Sequence, residues 1–206
     1  DLHYPLRRQR QMCIRDSISS FSCTIKNNTR ELTGVQSNSK RGWRLMFGLF
    51  KKEKRDVFTA PVTGELMPLE ALKDGVFSEK MMGDGYAVAP EEGLVYAPIS
   101  GVISSVFPTK HAIGITSAAG LEVLVHMGLD TVEMDGGPFE TKIAAGDEVQ
   151  AGDVLSQVDI AAIKASNRDP AVVVVFTNMD KVKAFDAIKA GPVAHGDQVT
   201  TLTYAD

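Results

Sequence analysis

The stretch APVTGEL at residues 60–66 returns at residues 97–103 as APISGVI. Both copies read Ala-Pro-aliphatic-hydroxyl-Gly-x-aliphatic. Proline removes a donor from a strand ladder, and glycine reaches backbone angles closed to other residues. Both copies therefore belong at strand starts, at matching corners. Two copies are too few for a solenoid, which needs about three or more. They predict an all-β chain with internal duplication, folded as an antiparallel β-sandwich or barrel.

The rest of the pattern agrees. Gly-Asp pairs at Gly146-Asp147, Gly152-Asp153 and Gly196-Asp197 precede short apolar runs, as tight turns between strands do. A few short helices are expected beside them. Asp159 is a cap candidate for a helix in DIAAIKASN, 159–167, which ends before Pro170. In NMDKVKAFDAIKAG, 178–191, Val182, Phe185 and Ile188 share a helical face, with Gly191 as a stop. ALKD, 71–74, reads as a single helical turn.

Charge divides the chain. Residues 1–45 carry nine Lys/Arg against three Asp/Glu, and residues 46–206 carry thirteen against twenty-three, nets of +6 and −10. Residues 1–45 lack sustained periodicity and read as a disordered or non-native extension; QMCIRDS resembles a translated sequencing-adapter scar. Met46 is a plausible start. Residues 46–56 form a short basic leader, in which Phe47, Leu49 and Phe50 beside basic residues allow at most peripheral membrane contact. Residues 57–206 form the folded domain. That domain has no cysteine, because Cys13 and Cys23 both precede it, so disulfides and thiolate metal sites are excluded there. An acidic body argues against nucleic acid and allows a basic protein partner. No apolar run approaches the length of about 20 residues that spans a bilayer. A cytoplasmic protein is expected.

LEVLVHMGLD, 121–130, alternates like a strand with one buried face and then presents His126. His111 begins the preceding apolar run in TKHAIGIT. The intervening AIGITSAAGLEVLV reads as a hairpin turning at Ser117–Gly120. That brings His111 and His126 to one open end, at the spacing of about 5 Å typical of opposed side chains. Two such imidazoles could bind a metal, act as base and acid, or divide nucleophile from charge stabiliser. The plainer alternative is a pair of satisfied structural residues. His195, beside a turn, reads as an exposed loop residue.

GVFSEKMMGDGYAVAP, the APISG corner, FPTKHAIGI and GLEVLVHMGLDTVEMDG, in this order, resemble the glucose-type enzyme IIA of the bacterial phosphoenolpyruvate-dependent sugar phosphotransferase system, the EIIA type-1 domain. The resemblance runs from about residue 57 to the C-terminus. It implies a phosphocarrier, a component of a phosphotransferase. His126 would accept a phosphoryl group on Nε2 from phospho-HPr and pass it to a cysteine on the IIB domain of a sugar permease. His111 would hydrogen-bond the phosphoryl group, with Thr109 orienting its ring. Asp74 and Asp130 would form an acidic docking rim, and Phe77, Met81 and Met82 an apolar docking face. Gly128 would leave an amide free for phosphate oxygens. No cofactor is required for the transfer. Some relatives regulate permeases or kinases, with zinc shared between both histidines and a partner, so His111 and His126 are candidate metal ligands too. Lys110 stands where a small polar residue such as Asn is expected, and Leu124 where an aromatic is; both are expected near the docking face.

Two rival readings stand beside it. One is a non-catalytic regulatory binding module of the same fold. The other is a zinc hydrolase, disfavoured because neither HExxH nor HxH is present.

Overall fold

The structure, a computed structural model, describes residues 53–205. Residues 1–45, Met46, Phe47, Leu49 and Phe50 lie outside the described residues. The described residues form three antiparallel sheets. The largest runs, in spatial order, β13 (Gly191–Val193), β2 (Gly64–Pro68), β3 (Asp84–Pro90), β11 (Val172–Phe176), β7 (Glu122–Met127), β6 (Ala112–Thr116), β5 (Gly101–Val106) and β9 (Glu148–Val149). A second joins β1 (Arg55–Thr59), β14 (Gln198–Tyr204) and β12 (Val182–Phe185). A third joins β4 (Leu94–Tyr96), β10 (Val154–Val158) and β8 (Phe139–Thr141).

The duplication predicted from APVTGEL and APISGVI is a local two-fold exchange. The Thr59 amide donates to the Pro98 carbonyl at 3.0 Å, and the Tyr96 amide donates to the Pro61 carbonyl at 2.8 Å. These are equivalent positions of the two copies, each reaching into the other. β2 and β5 begin at the repeat glycines, Gly64 and Gly101, so both prolines stay outside the ladder. The Gly-Asp turns clamp the same corners. Ala60 exchanges backbone bonds with Gly196 and Asp197, and Ala97 does so with Gly152 and Asp153. Ile103 uses Gly146 and Asp147 in the same way. In every turn the aspartate Oδ2 accepts the amide three residues earlier, from Ala144, Gln150 or Ala194.

The large sheet is buried on both faces, which positions the histidines. One face carries Val123, Val125 and Met127 of β7 with Val172, Val174 and Phe176 of β11. It packs on the two small sheets through Phe58, Val95, Phe139, Leu155 and Leu202. The opposite face carries Leu124, Val173, Val175, Ala87 and Ala112. Among the described residues no strand layer covers it; Leu69, Leu72, Phe77, Phe107 and Leu129 do, from loops and turns. β7 therefore differs from the expected one-sided strand: Val123 through Met127 are all buried.

Helix is scarce, as expected. α1 spans Ile160–Ala165, and the Asp159 side chain accepts the Ala162 amide at 2.9 Å. The turn expected at 71–74 is a 3₁₀ turn at Leu69–Ala71. The helix expected over 178–191 does not form. A 3₁₀ turn at Met179–Lys181 leads into β12, and β13 begins at Gly191. A register irregularity between Val182 and Ala184 interrupts strand alternation. It lets Val182 and Phe185, three apart, both pack on the core.

Candidate functional site: a histidine pair on a thin apolar face

The β6–β7 hairpin forms as predicted, with Ser117 and Gly120 closing its turn. It pairs Ala112, not His111, with His126, so the two imidazoles are offset by one residue. They still converge: the ring centroids are 4.9 Å apart, edge to face at 76°. Lys110, at φ 54°, lies in the left-handed region just before His111 and redirects the chain there. The Met127 amide donates to the His111 carbonyl at 2.7 Å and ties the two strand ends together.

Each ring has an aromatic wall. Phe77 lies edge-on to His126 at 5.1 Å, and Phe107 edge-on to His111 at 5.5 Å. Phe107 was not singled out from sequence; its place just before Pro-Thr-Lys-His was the available signal. His111 is 4 % exposed and His126 8 %. Burial lowers the His111 pKa to about 4. Burial and then the charge of His111 lower that of His126 to about 3, outweighing the Gly128 backbone and Asp74, which act in the opposite direction. Both rings are thus neutral near pH 7, each with one nitrogen lone pair.

The nitrogens are not equivalent. Thr109 Oγ1 lies 2.6 Å from His111 Nδ1. When Thr109 donates, His111 carries its proton on Nε2 and points a donor outward. His126 Nδ1 is buried without a hydrogen-bond partner. The Gly128 backbone favours a charged ring, yet stands outside bonding geometry with Nδ1. A proton on Nδ1 leaves the lone pair on Nε2, the nitrogen suited to nucleophilic attack.

The turn after β7 is fixed from several sides. Thr131 Oγ1 contacts the Met127 and Gly128 carbonyls at 2.8 and 3.1 Å. Gly128 adopts φ 77°, and a Cβ there would meet Thr131 Cγ2 at 2.5 Å. Its amide donates to the Ala171 carbonyl at 3.0 Å. It is therefore not the free phosphate donor expected from sequence; the β11 end has claimed it.

The docking residues separate into distinct roles. Asp74 accepts the Phe77 amide at 2.8 Å and the Ser78 amide at 3.0 Å. Burial raises its pKa, but these hydrogen bonds outweigh burial and hold it below the usual value. Asp74 thus anchors the loop that lays Phe77 against His126. Phe77 is buried, Met82 half-buried, and Met81 59 % exposed, so Met81 is the apolar side chain presented outward. Asp130 is exposed at φ 56°, and its carbonyl accepts Arg168 Nε. Leu124 is fully buried beneath the site, so it supports the face without touching a partner. His195 is exposed and stacks on Tyr96 at 4.2 Å. Among the described residues no set of three or more His, Cys, Asp and Glu could hold a metal. His111 and His126 could share one only with ligands from outside.

One pH prediction follows. The folded rings protonate far below the unfolded value of 6.5. Between those values the unfolded chain binds more protons, so stability rises with pH. The contribution is complete above about pH 6.5 and is lost as pH falls toward about 4 and 3, at up to about 1.4 kcal/mol per pH unit per ring. Nitrogen-15 imidazole spectra should show both rings neutral down to about pH 5. Acid unfolding curves should be flatter for His126→Gln.

Two neutral imidazoles thus meet edge to face on the second apolar face of an antiparallel β-protein, one of them held at Nδ1 by a hydroxyl. Comparison with known proteins identifies the family. The family model for the phosphoenolpyruvate-dependent sugar phosphotransferase system, EIIA 1, matches residues 56–182. A glucose-specific EIIA component of Staphylococcus aureus strain COL is 40 % identical over 156 residues, covering 75 % of this chain and 94 % of that protein. A glucose-specific EIICBA component of Streptococcus pneumoniae is 43 % identical over 181 residues, 88 % of this chain but only 24 % of that longer protein. Glucose permease IIA from Mycoplasma capricolum has a similar structure, with TM-score 0.68 and 39 % identity over 72 % of this chain and 96 % of that one. The chain belongs to the EIIA type-1 family of the sugar phosphotransferase system.

Proposed function

We propose that this chain relays a phosphoryl group from phospho-HPr to the IIB domain of a glucose-family permease. His126 Nε2 attacks the phosphorus of the HPr phosphohistidine. A new N–P bond forms as the old one breaks, and the HPr imidazole leaves with its electron pair. A IIB cysteine thiolate then attacks the same phosphorus, and His126 leaves in turn. His111 Nε2–H, held by Thr109, donates to the phosphoryl oxygens in the crowded transition state. The supporting observation is the asymmetry of the pair: one ring is locked at Nδ1 by a hydroxyl, and the other is backed by apolar burial. The apolar surround limits water near a labile N–P bond and lets two partners dock in succession. This reading places the chain in the cytoplasm, where it draws on both partners. Among the described residues no helix is long and apolar enough to cross a membrane.

The test is intact mass after incubation with phosphoenolpyruvate, enzyme I and HPr, followed by addition of IIB. The expected result is a gain of one acid-labile phosphoryl group, then its loss to IIB. No gain, with HPr itself phosphorylated, would leave the regulatory-module reading. In that reading the same two neutral nitrogens share zinc with a regulated permease or kinase that supplies the missing ligands. The acidic body also predicts a salt effect. Residues 46–206 carry a net −10. The loading rate should fall as ionic strength rises, because steering is screened beyond about 8–10 Å. A rate independent of salt in stopped-flow transfer would remove steering from the account.

A further inference from the structure

The side chain of Lys110 is the feature of this site that neither the fold nor the proposed chemistry has used. It closes the turn after β5: its amide donates to the Phe107 carbonyl at 2.7 Å, with Pro108 and Thr109 between. Its φ of 54° is a conformation that glycine or asparagine adopts with less strain. Strain kept beside a reactive group calls for a reason. Lys80, the other lysine with positive φ among the described residues, has one in its ion pairs with Glu70 at 2.6 Å and Asp84 at 2.7 Å. Lys110 is exposed, and among the described residues no carboxylate lies within ion-pair distance of it. It stands between Thr109 and His111, the two residues joined by the 2.6 Å hydrogen bond.

The charge balance of the site gives that cation a task. A phosphoryl group on His126 brings up to two negative charges. Asp74 already acts electrostatically on His126, and it would repel them. Arg168 is engaged with Glu133 and the Asp130 carbonyl. Lys110 carries a mobile ammonium on a flexible stem, one residue from the ring that faces His126.

We infer that Lys110 is the charge-compensating residue for the phosphoryl group on His126, biasing the transfer equilibrium toward this protein and away from HPr. The inference rests on the proposed phosphocarrier function. A dianion and an ammonium held about one Debye length apart, roughly 8 Å at physiological ionic strength, correspond to an equilibrium shift of about two- to fivefold.

The test measures the equilibrium distribution of phosphoryl groups between HPr and this protein, at low and high salt. Lys110→Asn should lower the loaded fraction ratio about two- to fivefold, and Lys110→Arg should restore it. The difference should shrink as salt rises. Asn suits positive φ, so Lys110→Asn should melt no lower than the wild type, which separates charge from folding. Lys73→Asn, a surface lysine beside Asp74, is the matched control and should shift the ratio less. An unchanged equilibrium in Lys110→Asn overturns the inference, as does an equal shift in Lys73→Asn or a change confined to the KM for one partner. A wild type that does not load would overturn the phosphocarrier reading itself. A loading wild type with an indifferent Lys110→Asn removes only the role of Lys110.

Discussion

His126→Gln should take up no phosphoryl group from phospho-HPr, a loss of more than about 10⁴-fold in rate, since removal of a nucleophile leaves only residual binding effects. The glutamine amide has no basic nitrogen to attack phosphorus. The loss should not come from unfolding. His126 stands on the thin face of the large sheet, over Ala87, Ala112 and Val173, while the main core lies on the other side. The edge contact with Phe77 at 5.1 Å is given up, at a cost of about 0.5–1.5 kcal/mol. Against that, the variant no longer buries an unpartnered Nδ1. Intact mass of the treated protein checks the loading, and a thermal melt beside the wild type checks the fold. A variant that still loads would move the acceptor elsewhere.

His111→Gln should give the opposite separation: the protein loads, but passes the group to IIB about 10²-fold more slowly, the scale of losing one oriented donor to a developing charge. The asymmetry follows from the nucleophiles. Loading exchanges one neutral imidazole for another. The onward step brings an anionic thiolate against an anionic phosphoryl group, so a donor that draws charge from the oxygens matters more there. Glutamine retains an N–H but loses the orientation supplied by Thr109 at 2.6 Å. Single-turnover transfer from preloaded protein to IIB measures the effect. Equal losses in both steps would mean that His111 supports the site as a whole.

Much of this arrangement is legible in the sequence. The repeated Ala-Pro corner marked the duplication, because proline and glycine constrain the backbone wherever they occur. The apolar runs flanking Ser117–Gly120 marked the hairpin and hence the meeting of His111 and His126. Asp159 marked α1 by its short acceptor side chain.

What escaped the sequence depends on distant partners. Alternation in LEVLV cannot show that both faces of β7 are covered, since the second cover comes from residues 69–77, Phe107 and Leu129. The false helix at 178–191 came from a strand irregularity that imitates a spacing of three. Gly128 looked like a free amide until Ala171, 43 positions along, claimed it. Asp74, expected at the docking rim, also uses its oxygens to hold the loop that carries Phe77, which its place in the sequence does not show. In each case a residue type stated its capability, and tertiary packing decided how it was spent.

The central claim is that the phosphoryl group resides on Nε2 of His126. Phosphorus-coupled nitrogen NMR of the loaded, nitrogen-15-labelled protein tests it most directly. The account predicts one phosphorus-coupled nitrogen, Nε2 of His126, with the His111 ring uncoupled and still neutral. Coupling to a nitrogen of His111, or to Nδ1 of His126, would contradict it.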